Sequence, residues 1–115
     1  MTLLSTRAHG VLDYVTVAVF ALAPVTLGLT GFAATLSYLL AAVHLLMTVV
    51  TAFPGGVVAL VPFRVHGVVE LVVGVALVAL ALTVFEGTAR TFYLVMGAVV
   101  LLVWLATSYK SPLAE

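Results

Sequence analysis

Two heptapeptides hold two of the four basic residues, two of the three histidines and two of the four acids of this chain. Arg7-Ala8-His9-Gly10-Val11-Leu12-Asp13 recurs 57 residues later as Arg64-Val65-His66-Gly67-Val68-Val69-Glu70, an R-x-H-G-x-x-[DE] pattern. On a helix, a histidine and an acid at i and i+4 stack on one face, so each copy sets an imidazole over a carboxylate. Such a pair of pairs suits three chemistries. His9, Asp13, His66 and Glu70 offer two nitrogens and two carboxylates to a divalent metal ion. His9 and His66 alone suit a haem between two imidazoles, with Arg7 and Arg64 meeting its propionates. The third is a structural clamp, in which the charges satisfy one another, the histidines donate hydrogen bonds, and Gly10 and Gly67 let the helices approach closely. The clamp is the preferred expectation, because charges inside a membrane are commonly neutralised in this way. Arg7 and Arg64 oppose the helix dipole at a helix start, and an acid six residues along points about 120° away. Cross-repeat pairs are therefore expected, Arg7 with Glu70 and Arg64 with Asp13.

The remaining histidine, His44, falls on a weakly polar stripe, Ser37, Ala41, His44, Thr48 and Thr51, whose helical spacing directs it to a bundle interior. The expectation is a neutral imidazole hydrogen-bonded to a neighbouring helix; the alternative is a proton relay with Asp13 or Glu70. Its equivalent in the last quarter of the chain is Val100, so the stripe is not repeated.

The elements that position these groups follow from composition. Of 115 residues, 65% are hydrophobic and 7% charged, with mean hydropathy +1.40, too few polar groups to cover a domain of this size in water. Four lysines and arginines balance four acids, and no basic run exists to follow a phosphate backbone, which argues against nucleic acid. Cysteine is absent, and with it thiolate metal sites and cysteine nucleophiles. Four stretches approach the roughly 20 apolar residues that cross a bilayer: Val11 to Leu29, Ala34 to Phe53, Val65 to Phe85 and Phe92 to Tyr109. Glycine and proline signals separate them, and the apolar segment from Phe53 to Phe63 is expected to lie at the interface or dip back into the membrane. Pro24 is expected to kink the first span.

A second alignment, at offset 56, matches Ala42, Val43, Leu45, Leu46 and Thr51 with Ala98, Val99, Leu101, Leu102 and Thr107. The chain thus reads as an all-α, four-transmembrane-helix bundle, a single membrane domain over 1–115 made of two helical hairpins, repeat 1 over 5–53 and repeat 2 over 62–109. Parallel repeats imply a pseudo-two-fold axis along the membrane normal, with equivalent residues at equal depth. A segment that recurs as the third span is not expected to be a cleaved leader. Arg7, Arg64 and Lys110 fall on the side of both termini and Arg90 on the other, which predicts cytoplasmic termini. Tyr14, Tyr93, Trp104 and Tyr109 read as belt residues at the two interfaces.

The opening Ser5-Thr6-Arg7-Ala8-His9-Gly10-Val11-Leu12-Asp13-Tyr14, the proline late in span one and Pro62 ahead of His66 resemble the SPW-repeat family of small bacterial membrane proteins. The Ser-Pro-Trp position reads Ala23-Pro24-Val25 in one unit and Leu80-Ala81-Leu82 in the other, so the name-giving motif is missing. The resemblance implies a bacterial inner membrane location and a repeated two-helix architecture, and no activity. Catalytic triads, phosphate loops and zinc motifs are absent, and no enzyme is expected. The sequence favours an interaction or assembly protein, in the bilayer as a homo-oligomer or with other membrane proteins. A haem- or metal-binding protein and a small proton-coupled transporter are the alternatives. Small residues such as Gly74, Gly97 and Ala98 supply packing faces.

Overall fold

The computed structural model describes residues 4–52 and 56–107. Four helices follow one another: α1 (Thr6–Thr26), α2 (Gly31–Val49), α3 (Phe63–Thr83) and α4 (Gly87–Ala106), with two short strands, β1 (Thr51–Ala52) and β2 (Val61–Pro62), between α2 and α3. Each helix has 19 to 21 residues, about 30 Å at 1.5 Å per residue, and is long and apolar enough to cross a membrane. The bundle is all-α as expected, with α1 packed chiefly on α2 and α3 on α4.

Helix boundaries differ from the hydropathy spans in one direction. All four helices begin earlier than the apolar stretches: hydropathy misses the polar first turns of α1, α3 and α4, and in α2 the helix starts at once on Gly31. In α1 the side chain of Ser5 caps the helix by accepting from the Ala8 N–H at 3.0 Å, which draws Arg7 and His9 into the first turn. α2 and α4 each begin on a glycine with φ near +60° (Gly31, +56°; Gly87, +58°), a conformation that other residues adopt at a steric cost. The expected ends at Phe53 and Tyr109 lie outside the described residues, as do Pro54, Gly55 and Lys110.

Polarity is distributed inside out. Outward faces carry residues such as Val25, Leu46, Val72 and Leu105, all more than half exposed, whereas Thr6, His9, Asp13, Ser37, Thr48, Thr51, His66, Glu70 and Thr107 are buried. Hydrocarbon outside and hydrogen-bonded groups inside is what a bilayer solvent demands. The two ends of the bundle differ. Phe20, Leu77, Phe85, Phe92, Tyr93 and Met96 fill the half toward the α1–α2 and α3–α4 turns; the buried ionisable groups lie in the other half.

Tyr93 departs from the expected belt position. It is wholly buried, its ring stacked on Phe85 at 4.5 Å and its hydroxyl donating to the Ala33 carbonyl at 2.5 Å. A partner for the hydroxyl is what makes a buried tyrosine affordable. Tyr14 and Trp104 are half-buried, and Tyr109 lies outside the described residues. Of the small residues, Gly97 fits its packing role: a Cβ there would meet the side chain of Val78 at 2.8 Å and its backbone nitrogen at 3.0 Å. Ala98 faces outward.

Pro24 falls in the last turn of α1. Lacking an N–H, it leaves the carbonyl of Phe20, four residues earlier, without its helical donor. The hydroxyl of Ser37, on α2, donates to that carbonyl at 2.6 Å, so an interhelical bond replaces an intrahelical one. At the far end of α3, Arg90 Nε donates to the carbonyls of Ala81 and Phe85, both at 2.9 Å, a cation on the last orphan carbonyls. The linker folds back over the end of α2: the N–H groups of Val57 and Val58 reach the Val49 carbonyl, and those of Leu60 and Val61 reach that of Val50. β1 and β2 pair in parallel, Thr51 with Val61 and Ala52 with Pro62.

Ser37→Ala is expected to destabilise the bundle by about 1 kcal/mol. In a Pro24→Ala background, where the helical N–H is restored, the same change costs less; unfolding titrations of the four variants in mild detergent measure the difference.

Candidate metal centre

The first turns of α1 and α3 and the last turns of α2 and α4 come together at one end of the bundle. The start of the chain runs beside the end of α4, with the Leu4 N–H on the Ala106 carbonyl at 2.9 Å. His9 and His66 each sit three residues into their helices and Asp13 and Glu70 seven, about 5 and 10 Å along the axis. All four are buried, with Asp13 at 3% and Glu70 at 4% exposure. Phe63 covers them, 5.4 Å from the His9 ring and 6.0 Å from that of His66.

The expected i, i+4 pairs form, His9 Nε2 to Asp13 Oδ1 at 3.3 Å and His66 Nε2 to Glu70 Oε1 at 2.9 Å. Crossed pairs form too, His9 Nε2 to Glu70 Oε1 at 3.1 Å and His66 Nε2 to Asp13 Oδ2 at 3.1 Å. Cross-hairpin pairing was expected of the arginines; the structure gives it to the histidines, while Arg7 and Arg64 stand exposed at the helix starts. An arginine in the first turn reaches the interface more readily than it reaches a carboxylate a turn deeper.

The outer ring nitrogens fix what the inner ones carry. His9 Nδ1 lies 3.0 Å from Thr107 Oγ1, and His66 Nδ1 lies 2.7 Å from Thr51 Oγ1. Both threonine hydroxyls already donate to the carbonyl four residues back, Thr107 to Val103 at 2.7 Å and Thr51 to Met47. A hydroxyl has one proton; where it goes to the carbonyl one turn back, the threonine accepts and Nδ1 of the histidine bears the hydrogen. Neutral imidazole has no second one. The Nε2 of a neutral ring presents a lone pair to carboxylate oxygens about 3 Å away, an arrangement that either a bound cation or a proton on Nε2 makes favourable.

His44 joins the group, as its stripe implies: Ser37, Ala41, Thr48 and Thr51 are buried and His44 is half-buried. Its Nε2 donates to Asp13 Oδ1 at 3.3 Å, which realises the expected hydrogen bond to a neighbouring helix. Asp13 Oδ2, fully buried, has no hydrogen-bond partner among the described residues, although His66 Nε2 is close.

One ligand atom each from His9, Asp13, His66 and Glu70 falls within a 4.8 Å span. A tetrahedral ion with ligands at about 2.0–2.1 Å sets its donors roughly 3.3 Å apart; His9 Nε2 to Glu70 Oε1, His66 Nε2 to Glu70 Oε1 and His66 Nε2 to Asp13 Oδ2 are 3.1, 2.9 and 3.1 Å. A haem does not fit this arrangement, because the oxygens of Asp13 and Glu70 stand between the two Nε2 atoms where the macrocycle would lie.

Thr51 and Thr107 are the site residues that motif reading missed, although their alignment at offset 56 was visible. Comparison with family models, curated proteins and solved structures finds no match, so the resemblance to the SPW-repeat family rests on the sequence alone.

Thr107→Val is expected to release His9 Nδ1 and Thr51→Val to release His66 Nδ1, each without disturbing the other. Histidine 15N spectra check this: the wild type shows both rings with hydrogen on Nδ1, and each variant loses that signature at one ring.

Proposed function

We propose that this is an integral membrane protein that binds a divalent first-row transition metal through His9 Nε2, His66 Nε2, Asp13 Oδ2 and Glu70 Oε1. The convergence of two Nε2 lone pairs, each with its Nδ1–H held by a threonine, carries the reading. Such outer hydrogen bonds fix the tautomer and orientation of metal-ligating histidines. Asp13 supports it: His44 holds Oδ1, while Oδ2 has no hydrogen bond among the described residues and lies 3.1 Å from His66 Nε2. Two imidazoles and two carboxylates suit zinc, iron or manganese better than calcium or magnesium. Two anionic and two neutral ligands cancel a divalent charge, which lowers the cost of a charged site in the bilayer.

The clamp is the second reading. There Nε2 of both histidines is protonated, and two imidazolium ions balance two carboxylates. It shares the charge balance, but it crowds three Nε2 atoms on Asp13 Oδ1 and Glu70 Oε1 and, among the described residues, leaves Asp13 Oδ2 with the ion pair to His66 alone. Proton-coupled transport has less support: the buried ionisable groups occupy one half of the bundle, and the apolar core of Phe20, Leu77, Phe92 and Tyr93 fills the other. Reciprocal bonds from His9 to Thr107 and from His66 to Thr51 support the reading of two repeated hairpins about a pseudo-two-fold axis. The membrane is taken to be the bacterial inner membrane, with both termini cytoplasmic.

Two outcomes are expected. Protein purified in mild detergent without added metal carries near-stoichiometric zinc, iron or manganese by elemental analysis, lost in His9→Ala/His66→Ala and retained with affinity lowered about 10–100-fold in Thr51→Val or Thr107→Val. A folded, metal-free wild type that takes up none on titration favours the clamp. Since the chain has no cysteine, Ser5→Cys and Thr88→Cys each give a single reporter. In spheroplasts a membrane-impermeant thiol reagent is expected to label Thr88→Cys and to spare Ser5→Cys.

A further inference from the structure

The donors around the centre are not symmetric. His44, on α2, supplies a third imidazole, and 56 residues later the matching position on α4 is Val100, buried at 6% exposure. Two clefts meet on this gap. One opens between α2 and α3, with Leu40, Val43, Met47 and Val73 leading inward to His44, His66 and Glu70. The other opens between α1 and α4, with Leu12, Val99 and Val103 leading to Asp13, His44 and Glu70. Val100 lines both. Their outer lips, Val43 and Val99, are exposed on the bilayer-facing surface of the bundle.

Size and lining limit what can enter. The volumes are about 30 Å³ and about 10 Å³, against the roughly 10–15 Å³ that holds one water. Nothing larger than a molecule of a few atoms fits. Between lip and centre the larger cleft is walled by valine, leucine and methionine, and the smaller by leucine and valine with Thr16, so the entry is apolar and the inner end polar. An ion would have to cross hydrocarbon to reach the lips.

We infer that these clefts admit a small uncharged ligand, of the size and chemistry of a diatomic gas, from the bilayer to an open coordination position beside Val100. The inference rests on the metal reading above, deepening it from a closed structural site to one that takes an external ligand. Four protein donors leave room for a fifth, and the side without an imidazole is where it would bind.

The test uses the full chain in detergent, loaded anaerobically with ferrous iron, with bound iron measured before nitric oxide is added as the probe. Wild type is expected to give the electron paramagnetic resonance signal of a ferrous nitrosyl. Val100→Phe, which narrows both clefts, is expected to keep its iron and form the nitrosyl about tenfold more slowly or not at all, while Val100→Ala forms it at least as fast as wild type. Should Val100→Phe fail to fold, Val43→Phe at the lip of the larger cleft serves, with a smaller slowing. Bound iron that gives no nitrosyl in wild type overturns the ligand site and leaves the metal centre standing. A nitrosyl that forms equally fast in wild type and in a folded phenylalanine variant overturns the route past Val100. Failure to bind iron or any other divalent ion overturns the metal centre and this inference with it.

Discussion

A threonine hydroxyl with a single proton governs the interior of this bundle. When the hydroxyls of Thr51 and Thr107 donate to the carbonyl one turn back, neither has a hydrogen left for a histidine, and His66 and His9 donate to them through Nδ1. The inward nitrogen of each ring is thereby set by a group outside the centre. Threonines that bond their own i−4 carbonyl are ordinarily a small perturbation of a helix end. Here that local habit decides the electronic character of two rings in the other hairpin.

The rest of the fold protects this arrangement. Burying two carboxylates within apolar spans costs at least about 2.5 kcal/mol each on insertion scales when they are unpaired, so the bundle cannot leave them unmatched. Each carboxylate draws its partners from both hairpins, and Phe63 closes the end of the site. Gly56 contributes through space: a Cβ there would run into the carbonyl oxygen of Thr51, so the linker can pass the threonine only because no side chain stands in the way. In the opposite half, where no histidine or carboxylate is buried among the described residues, the core is aromatic and aliphatic, and Ser37 and Tyr93 answer individual backbone carbonyls.

Much of this was legible in the sequence. Hydropathy and the glycine and proline breaks predict four helices, and the recurrence of R-x-H-G-x-x-[DE] brings His9, Asp13, His66 and Glu70 to one depth. The stripe through His44 predicts its inward face. What the sequence does not settle is which cation or donor meets each carboxylate. Arginine was the obvious partner by charge, but depth favours histidine, and depth depends on where the helix begins. The extra turn of α1 set by the Ser5 cap places Arg7 at the rim rather than inside. Tyr93 was misplaced for a related reason: an aromatic with a hydroxyl reads as interfacial until a carbonyl is found for it, and Ala33 belongs to a helix 60 residues away in sequence.

The sharing of partners between hairpins bears on how the chain enters the bilayer. Spans emerge in order, so the first hairpin is complete while His66 and Glu70 are still to be made. At that stage Asp13 has the imidazoles of His9 and His44 beside it, and neither Thr107 nor Phe63 is present to orient and cover them. By itself the first hairpin therefore leaves Asp13 only partly matched. Union of the hairpins completes one polar centre as well as burying helix faces, and the two acids are matched only when both are in place.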